Sequence, residues 1–156
     1  MDKTDDYLHK FSSYNKLLRI TALILRFKHN CQSYKTLRRT GPLTTRELYD
    51  SRIRIISLIQ LDTFETEINL LKKEKSLPIN SKIISLHPYL GNDNLLRVGG
   101  RLEQSHLHYN TKHPILLPKD HVITRLIIQE AHHSTLHGGS QLVLNQIRQH
   151  YWIING

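Results

Sequence analysis

The ten residues Gly91-Asn92-Asp93-Asn94-Leu95-Leu96-Arg97-Val98-Gly99-Gly100 separate two kinds of sequence pattern in this chain. Asn and Asp beside glycine favour tight turns, so the first four residues predict a turn and Leu95–Val98 a short strand after it. The two glycines that follow predict a bulge or a tight reversal. This stretch therefore introduces β structure into a chain whose flanking parts have helical periodicity.

A second short strand is predicted over Ile115–Leu117, which stands between Pro114 and Pro118. Proline cannot donate a hydrogen bond to a β ladder, so this bracketing favours an edge strand. Together with the turn and strand above, it predicts a small β segment over residues 79–118.

Upstream, two amphipathic helices are predicted. Residues Ser12 to His29 have apolar side chains at spacings of three and four, namely Leu17, Ile20, Ile24 and Phe27. This is the period of one helix face. The following residues, Asn30 to Pro42, are rich in basic side chains and predict a connector.

The second helix is predicted from Thr45 to about Lys75. Thr44 and Glu47 have the spacing of a capping box, in which two side chains satisfy amides at a helix start. The expected apolar stripe comprises Leu48, Ile55, Ile59 and Ile68, widened by Leu58, Phe64 and Leu71. The lysines at 72, 73 and 75 would occupy the last turn, where cations complement the helix dipole.

Two more helices are predicted near the end of the chain. Asp120 is expected to cap a helix that carries Val122, Ile123, Leu126 and Ile127. Gly138-Gly139-Ser140 interrupts it, and a second helix then places Leu144, Ile147 and Tyr151 on one side. The apolar run from Tyr151 to Ile154 needs a partner that buries it. The predicted fold class is α+β, mainly helical, with a small β segment.

Composition restricts the function classes. The 156 residues carry 22 Lys and Arg against 13 Asp and Glu, a net charge of +9 that suggests a polyanionic partner such as DNA. The basic set expected to contact it is Arg19, Arg26, Lys28, Lys35, Arg38 and Arg39. A lone cysteine, Cys31, excludes an internal disulfide, and no stretch predicts a signal peptide or a membrane span. We expect a soluble intracellular protein of the cytoplasm or nucleus.

The cluster Ala131-His132-His133-Ser134-Thr135-Leu136-His137 is the candidate metal site. Neutral imidazole is a common zinc ligand. His132 and His137 are five residues apart and can converge on one ion only if the helix ends between them. His133 and His137 are four apart and would instead share a face of an unbroken helix, so the spacing leaves both pairs open.

No catalytic residues are predicted. The acidic residues show no spacing that brings a pair together, and the chain has neither a nucleophile elbow nor a phosphate-binding glycine loop. We therefore expect that the chain is not an enzyme by itself.

Several short motifs, taken in order, resemble the region leading into the integrase zinc-binding domain of BEL/Pao-type long-terminal-repeat retrotransposons. They are Leu95-Leu96-Arg97-Val98-Gly99-Gly100-Arg101-Leu102, Lys112-His113-Pro114-Ile115-Leu116-Leu117-Pro118-Lys119, Glu130-Ala131-His132, Leu136-His137-Gly138-Gly139, Leu144, Ile147-Arg148 and Tyr151-Trp152-Ile153. Upstream, residues 13–27 and 43–60 are similar to the polyprotein region between ribonuclease H and integrase.

The resemblance implies a helical His-His-Cys-Cys zinc module, with His132 and His137 as its two His ligands. The chain departs from the family pattern because it contains no Cys-x-x-Cys, which would lie beyond Gly156 together with the acidic catalytic core. The implied organisation is a helical linker over 1–78, the β segment over 79–118 and a partial zinc-binding domain over 119–156. Zinc contributes folding free energy to such modules, so half of the ligands should leave the C-terminal helices loosely packed.

The resulting expectation is a fragment of a retrotransposon polyprotein, associated with DNA integration but not catalytic alone. Its expected partners are DNA, the remainder of the integrase and a further copy of the chain in a homo-oligomer, with no membrane. The alternatives are a host-adopted helical module that binds protein or DNA, and a non-functional relic. An adopted protein-binding module would use the stripe from Leu48 to Leu71 as its interface.

Overall fold

The computed structural model describes residues 10–99, 108–136 and 138–154. Its described part is mainly helical with one small four-stranded sheet, which confirms the predicted fold class. The chain forms two compact units, Met1–Ile55 and Ile56–Gly156, which are described separately below. None of the described helices is long and apolar enough to cross a lipid bilayer.

Within the described residues, five α-helices and four strands are numbered here in chain order. The helices are α1 (Tyr14–Gln32), α2 (Thr45–Lys72), α3 (Tyr109–Lys112), α4 (Val122–Ser134) and α5 (Ser140–Arg148). The strands are β1 (Tyr89–Leu90), β2 (Leu96–Arg97), β3 (Ile115–Leu117) and β4 (Tyr151–Ile153). Short 3₁₀ turns cover Lys35–Leu37 and Ile84–Leu86.

Helix α1 forms in the predicted region but runs from Tyr14 to Gln32, three residues past the predicted end at His29, and its buried face differs from the predicted stripe. The Ser13 side chain caps it by accepting a hydrogen bond from Lys16 N at 3.4 Å. The buried side chains are Tyr14, Leu17, Leu18, Thr21 and Ala22, whereas Ile24 and Phe27 are 50% and 71% exposed. Apolar residues occur on several sides of this helix, so periodicity alone does not select the face that becomes buried.

Helix α2 begins with the predicted capping box. Thr44 N donates to Glu47 Oε2 at 2.9 Å, and Glu47 N donates to Thr44 Oγ1 at 3.3 Å. The helix ends at Lys72, earlier than the predicted Lys75. Glu74 has a left-handed backbone (φ 54°), and Lys75 N donates to Leu70 O at 3.0 Å, which together close the helix in a Schellman motif. Phe64 interrupts the helical backbone at φ −126°, ψ 30°, a kink that the sequence pattern did not predict.

The sheet of the second unit has the strand order β1-β2-β3-β4. Strands β1 and β2 are antiparallel, with Leu90 opposite Leu96, and β2 pairs antiparallel with β3. Strand β4 lies parallel to β3, with Trp152 opposite Leu116. The apolar residues Tyr151–Ile153 thus pair with a strand of the same chain.

The prediction that Ile115–Leu117 is an edge strand is wrong. Strand β3 lies between β2 and β4, and all three of its residues are buried. The flanking prolines do not prevent this, because they stand outside the three paired positions and their carbonyls remain free to accept. Pro114 O accepts from Val98 N at 3.0 Å, and Pro118 O accepts from Thr124 Oγ1 at 2.7 Å.

The helix after β3 is capped by a different residue from the predicted one. His121, rather than Asp120, is the N-cap of α4, and its Nδ1 accepts from Ile123 N at 3.1 Å. A cap side chain must be adjacent to the first helical residue, and α4 begins at Val122, two positions after Asp120. Helix α5 begins at Ser140, directly after Gly138-Gly139, as predicted.

The core of the second unit lies where α2, the loop before β1 and the sheet meet. Its buried members are Phe64, Ile68, Ile83, Leu96, Leu116 and Ile154. The sheet is therefore packed through strands β2 and β3, which occupy its centre. Domain boundaries at 78 and 118 stay predictions.

Candidate functional site

The candidate zinc ligands lie at the end of α4. His132 and His133 are exposed in its last turn, whereas His137 lies outside the described residues. Helix α4 ends at Ser134, between the positions of His132 and His137. The expected interruption of the helix is therefore present.

Side chains and backbone together terminate α4. Ser134 Oγ donates to Ala131 O at 2.9 Å, and Thr135 Oγ1 donates to His132 O at 3.0 Å. Hydroxyls that bond preceding carbonyls in this way compete with helix continuation. Leu136 then adopts a left-handed backbone (φ 52°), and Gly138 N donates to Thr135 O at 3.0 Å. The chain consequently reverses direction at these residues.

The reversal is attached to the next helix. Gln146 Nε2 donates to Ser134 Oγ at 2.8 Å, which joins α5 to the end of α4. A Cβ added to Gly138 would lie 2.7 Å from Leu142 Cδ2 and 3.1 Å from Thr135 O, so a larger residue does not fit without movement. Helix α5 is thus joined to the end of α4, next to the exposed His132 and His133.

The end of α4 bears on the two ligand pairs that the spacing left open, and the choice between them stays a prediction. A pair of His133 and His137 on one face needs a helix that continues to residue 137, and α4 does not continue that far. A pair of His132 and His137 needs a helix that ends between them. The observed end at Ser134 is compatible with the second arrangement.

The described residues provide at most part of a zinc site. Among residues 10–99, 108–136 and 138–154, no three His, Cys, Asp or Glu side chains are grouped closely enough to bind a metal ion. Cys31 is exposed and belongs to the first unit. A structural zinc ion needs four ligands, so the histidines of this chain fit only one half of the donor set.

The basic residues predicted to contact nucleic acid divide into two groups. Arg26 is used inside the first unit: it donates to Glu47 Oε1 and Oε2 at 2.7 and 2.6 Å and to Gly41 O at 2.6 Å. The hydrogen bonds from Arg26, and after them those from Thr44, lower the pKa of Glu47 to about 2. The other five members are exposed, namely Arg19, Lys28, Lys35, Arg38 and Arg39.

Positive charge is concentrated in the first unit, which the net charge of the whole chain does not show. The first unit, Met1–Ile55, contains twelve Lys and Arg against five acidic residues, so it carries +7 of the chain's net charge of +9. Two of these acids, Glu47 and Asp50, lie among the residues that the structure describes. Both acids pair with arginines, Glu47 with Arg26 and Asp50 with Arg46. Segment-by-segment counting of charge would have revealed this asymmetry from the sequence.

Arg97 lies at the centre of a polar cluster that the sequence pattern did not predict. Arg97 is 3% exposed, and its Nη2 lies 2.6 Å from Asp93 Oδ2. Its Nη1 donates to His113 O at 2.8 Å and to Asn110 Oδ1 at 3.2 Å, and its guanidinium lies 5.1 Å from the centre of the Tyr109 ring. The two motifs Leu95–Val98 and Lys112–Lys119 are thus connected through one buried cation.

Three aromatic side chains lie together beside the Arg97 guanidinium, and the nearest of them is Tyr109. Tyr89 and Tyr109 share a hydrogen bond between their hydroxyls at 3.0 Å, and the His113 ring lies 5.3 Å from Tyr89. Burial and the Tyr109 hydrogen bond raise the pKa of Tyr89. Since the polar groups of this cluster bond mainly one another, the arrangement has the character of a structural network.

Gly99 has a steric role in the same motif. A Cβ at this position would lie 2.2 Å from His87 O, and Gly99 N donates to that oxygen at 3.1 Å. Gly100, the second glycine of the predicted bulge, lies outside the described residues.

No protein-family model, no curated protein and no solved structure matches this chain.

Proposed function

We propose that this chain is part of a BEL/Pao-type retrotransposon polyprotein and contains the first half of the integrase zinc-binding domain. The proposal rests on the order of the short motifs from Leu95 to Ile153. The single structural observation that supports it is the end of α4 at Ser134, between His132 and the position of His137. In this proposal the chain is associated with DNA integration and is not catalytic alone.

In the proposed domain His132 and His137 are the first two ligands of a structural zinc ion. Two cysteines encoded after Gly156 supply the other half of the tetrahedron. Bound zinc would contribute folding free energy. The residues of this chain orient the site: the Ser134 and Thr135 hydroxyls end the helix, and Gln146 connects α5 to that end.

The first test is the reading frame beyond the codon for Gly156. We expect it to continue into a Cys-x-x-Cys pair, and a stop codon at that point would contradict the integrase assignment. The chain extended through this pair should bind Co²⁺ with the visible absorption of a tetrahedral thiolate site. His132→Asn should abolish that absorption, whereas His133→Asn serves as the matched control and should preserve it. The reverse pattern would assign the ligand to His133.

We further propose that the first unit binds nucleic acid. The observation that favours this is the excess of basic residues over 10–55, five of which were predicted as contacts and are exposed. Neutralised phosphates release counterions, so the logarithm of the affinity for duplex DNA should fall linearly with the logarithm of salt concentration. Affinity that stays constant between low and physiological salt would contradict the proposal.

An adopted protein-interaction module remains the alternative, but the structure changes its expected interface. The stripe along α2 is largely buried within the chain, as Ile55, Ile59, Phe64 and Ile68 are each at most 7% exposed. A partner or a second copy would need another surface. Sedimentation equilibrium that shows a stable dimer or larger species would favour this alternative over a relic.

A further inference from the structure

Two aromatic rings of the first unit are strongly exposed among basic residues. Phe27, near the end of α1, is 71% exposed, and Tyr34, just after it, is 84% exposed. Each ring is followed directly by an exposed lysine, Lys28 or Lys35. Single exposed apolar side chains are common on proteins, so the basic residues beside these two rings carry the argument for a ligand.

The segment that carries these residues is fixed to α1 at several points. Asn30 Nδ2 donates to Arg39 O at 2.9 Å, and Arg39 N donates to Asn30 Oδ1 at 2.8 Å. Ser33 Oγ donates to His29 O at 2.8 Å. The loop from Ser33 to Arg39 is therefore closed onto the end of the helix, and its exposed side chains belong to an ordered surface.

The far end of the same loop is closed by Arg26, which donates to Gly41 O and to Pro42 O at 2.6 and 2.9 Å. A groove of about 390 Å³ lies beside it, lined by Arg26, Arg39, Thr40, Thr44, Arg46 and Glu47. Arg26 is neutralised there by Glu47. Arg39 adds an exposed guanidinium, and Arg46 pairs with Asp50 at the surface with 79% of its side chain exposed.

We propose that this surface binds single-stranded nucleic acid, with unpaired bases stacked on Phe27 and Tyr34. The phosphates then lie beside Lys28, Lys35, Arg38 and Arg39. This inference rests on the nucleic-acid binding proposed above and specifies its form. Single-strand binding surfaces combine basic residues that follow the backbone with aromatic rings that stack on the bases. In a duplex the bases already stack on one another, so exposed rings gain no partner there.

The charge of the first unit favours nucleic acid over an apolar protein partner, although Leu23, Ile24 and Leu37 are also exposed there. A protein-binding surface is usually depleted of lysine at its centre. Here lysine follows each exposed ring, and Arg38 and Arg39 follow the 3₁₀ turn that comes next. An anionic lipid surface would also attract these charges, and it is treated as an outcome of the test.

The test compares three probes of similar phosphate number at one fixed salt concentration. They are a fluorescein-labelled dT12 strand, the corresponding abasic deoxyribose-phosphate strand, and a duplex of six G·C base pairs whose strands are joined at one end by a non-nucleotide linker. The full chain should bind dT12 at least about fivefold more tightly than the abasic strand, since each stacked base contributes that much or more. It should also prefer dT12 to the duplex.

Substitutions locate the stacking rings. Tyr34→Leu and Phe27→Leu should each weaken dT12 binding about fivefold or more while leaving abasic-strand binding unchanged. Tyr34→Phe retains a ring and should bind as the parent chain does. Ile79→Ala, at a 94% exposed apolar position of the other unit, is the matched control and should have no effect. All three positions are exposed enough that folding should be unaltered in the four variants, which far-UV circular dichroism checks.

The outcomes separate the two proposals. Equal affinity for dT12, the abasic strand and the duplex overturns the stacking proposal and leaves charge-driven nucleic-acid binding in place. Unchanged dT12 affinity in both Tyr34→Leu and Phe27→Leu does the same. Absence of binding to every strand at low salt overturns both. Binding to phosphatidylserine vesicles, with no binding to dT12, assigns the surface to a membrane instead.

Discussion

The side chain of Gln60 bonds both the backbone N–H and the backbone C=O of Leu96, as a neighbouring strand would. Its Oε1 accepts from Leu96 N at 2.7 Å, and its Nε2 donates to Leu96 O at 2.9 Å. The same Nε2 also donates to Leu116 O at 2.8 Å, so one side chain of α2 bonds two strands of the sheet. Gln60 is 1% exposed, and its polar atoms have no access to compensating water.

Gln60→Ala should therefore lower the free energy of unfolding by about 3 kcal/mol, since three buried hydrogen bonds are lost and backbone groups of β2 and β3 remain unpaired. Urea unfolding followed by the fluorescence of Trp152 measures the change. Gln129→Ala, at an exposed position of α4, is the matched control and should change the value by less than about 0.5 kcal/mol. Similar values for the two variants would contradict the assigned role.

Asp93→Ala should destabilise the second unit by about 3 kcal/mol. It removes the carboxylate from Arg97 and leaves a buried cation without its ion-pair partner. The matched control is Asp120→Ala, because Asp120 is exposed and α4 is capped by His121. The same unfolding experiment applies, and a loss below about 1 kcal/mol for Asp93→Ala would show that Asn110, His113 and Tyr109 suffice for Arg97.

The pair of Arg26 and Glu47 should make the stability of the first unit depend on pH in the acidic range. The pKa of Glu47 is lowered from 4.5 to about 2 in the folded chain, first by the Arg26 hydrogen bonds. The unfolded chain therefore takes up a proton at higher pH than the folded chain does. The stabilisation is complete above pH 4.5 and is lost as the pH falls toward 2.

Glu47→Gln tests this dependence. The urea midpoint of the variant, followed by far-UV circular dichroism, should lie below that of the parent at pH 7, and the difference should shrink between pH 4.5 and pH 2. Asp50→Asn removes an exposed ion pair with Arg46 and is the control, with a small difference at every pH. A Glu47→Gln difference that is independent of pH would argue against the ion pair.

Glu74→Gly should stabilise the end of α2 by about 0.5 kcal/mol. Glu74 has a positive φ at the position of the Schellman motif where glycine is preferred. Removal of the Cβ relieves the left-handed backbone penalty, part of which is offset by the greater freedom of glycine in the unfolded chain. Glu74→Ala keeps the Cβ and should show no such gain in unfolding experiments. Equal stabilisation by both variants would point to the lost charge instead.

Local chemistry in the sequence predicted several local features of the fold, although it missed the kink at Phe64 and the cap of α4 at His121. The capping box of Thr44 and Glu47, the turn at Gly91–Asn94 and the restart of the helix at Ser140 all depend on residues within a few positions of each other. Such interactions form whatever the rest of the chain does. The interruption of α4 at Ser134 belongs to the same class, because nearby hydroxyls and glycines produce it.

Features that depend on distant partners were not predictable in this way. Whether β3 is central depends on Tyr151–Ile153, and the buried state of Arg97 depends on Asp93 together with Tyr109 and His113. Gln60 appears in the sequence as an ordinary polar residue of a helix. Convergence of His132 and His137 on one ion is likewise a property of tertiary geometry, so the ligand assignment stays a prediction.

The parallel pairing of β3 with β4 imposes an order on biosynthesis. Strand β3 is complete at Leu117, but its second neighbour begins only at Tyr151, after both helices of the α4–α5 hairpin. Until the ribosome has released Ile153, one edge of a strand made entirely of buried aliphatic residues has no partner. Unpaired edges of this kind attract other chains. Nascent chains in which β4 is still inside the ribosome should therefore need a chaperone, whereas chains that have been released from it should not.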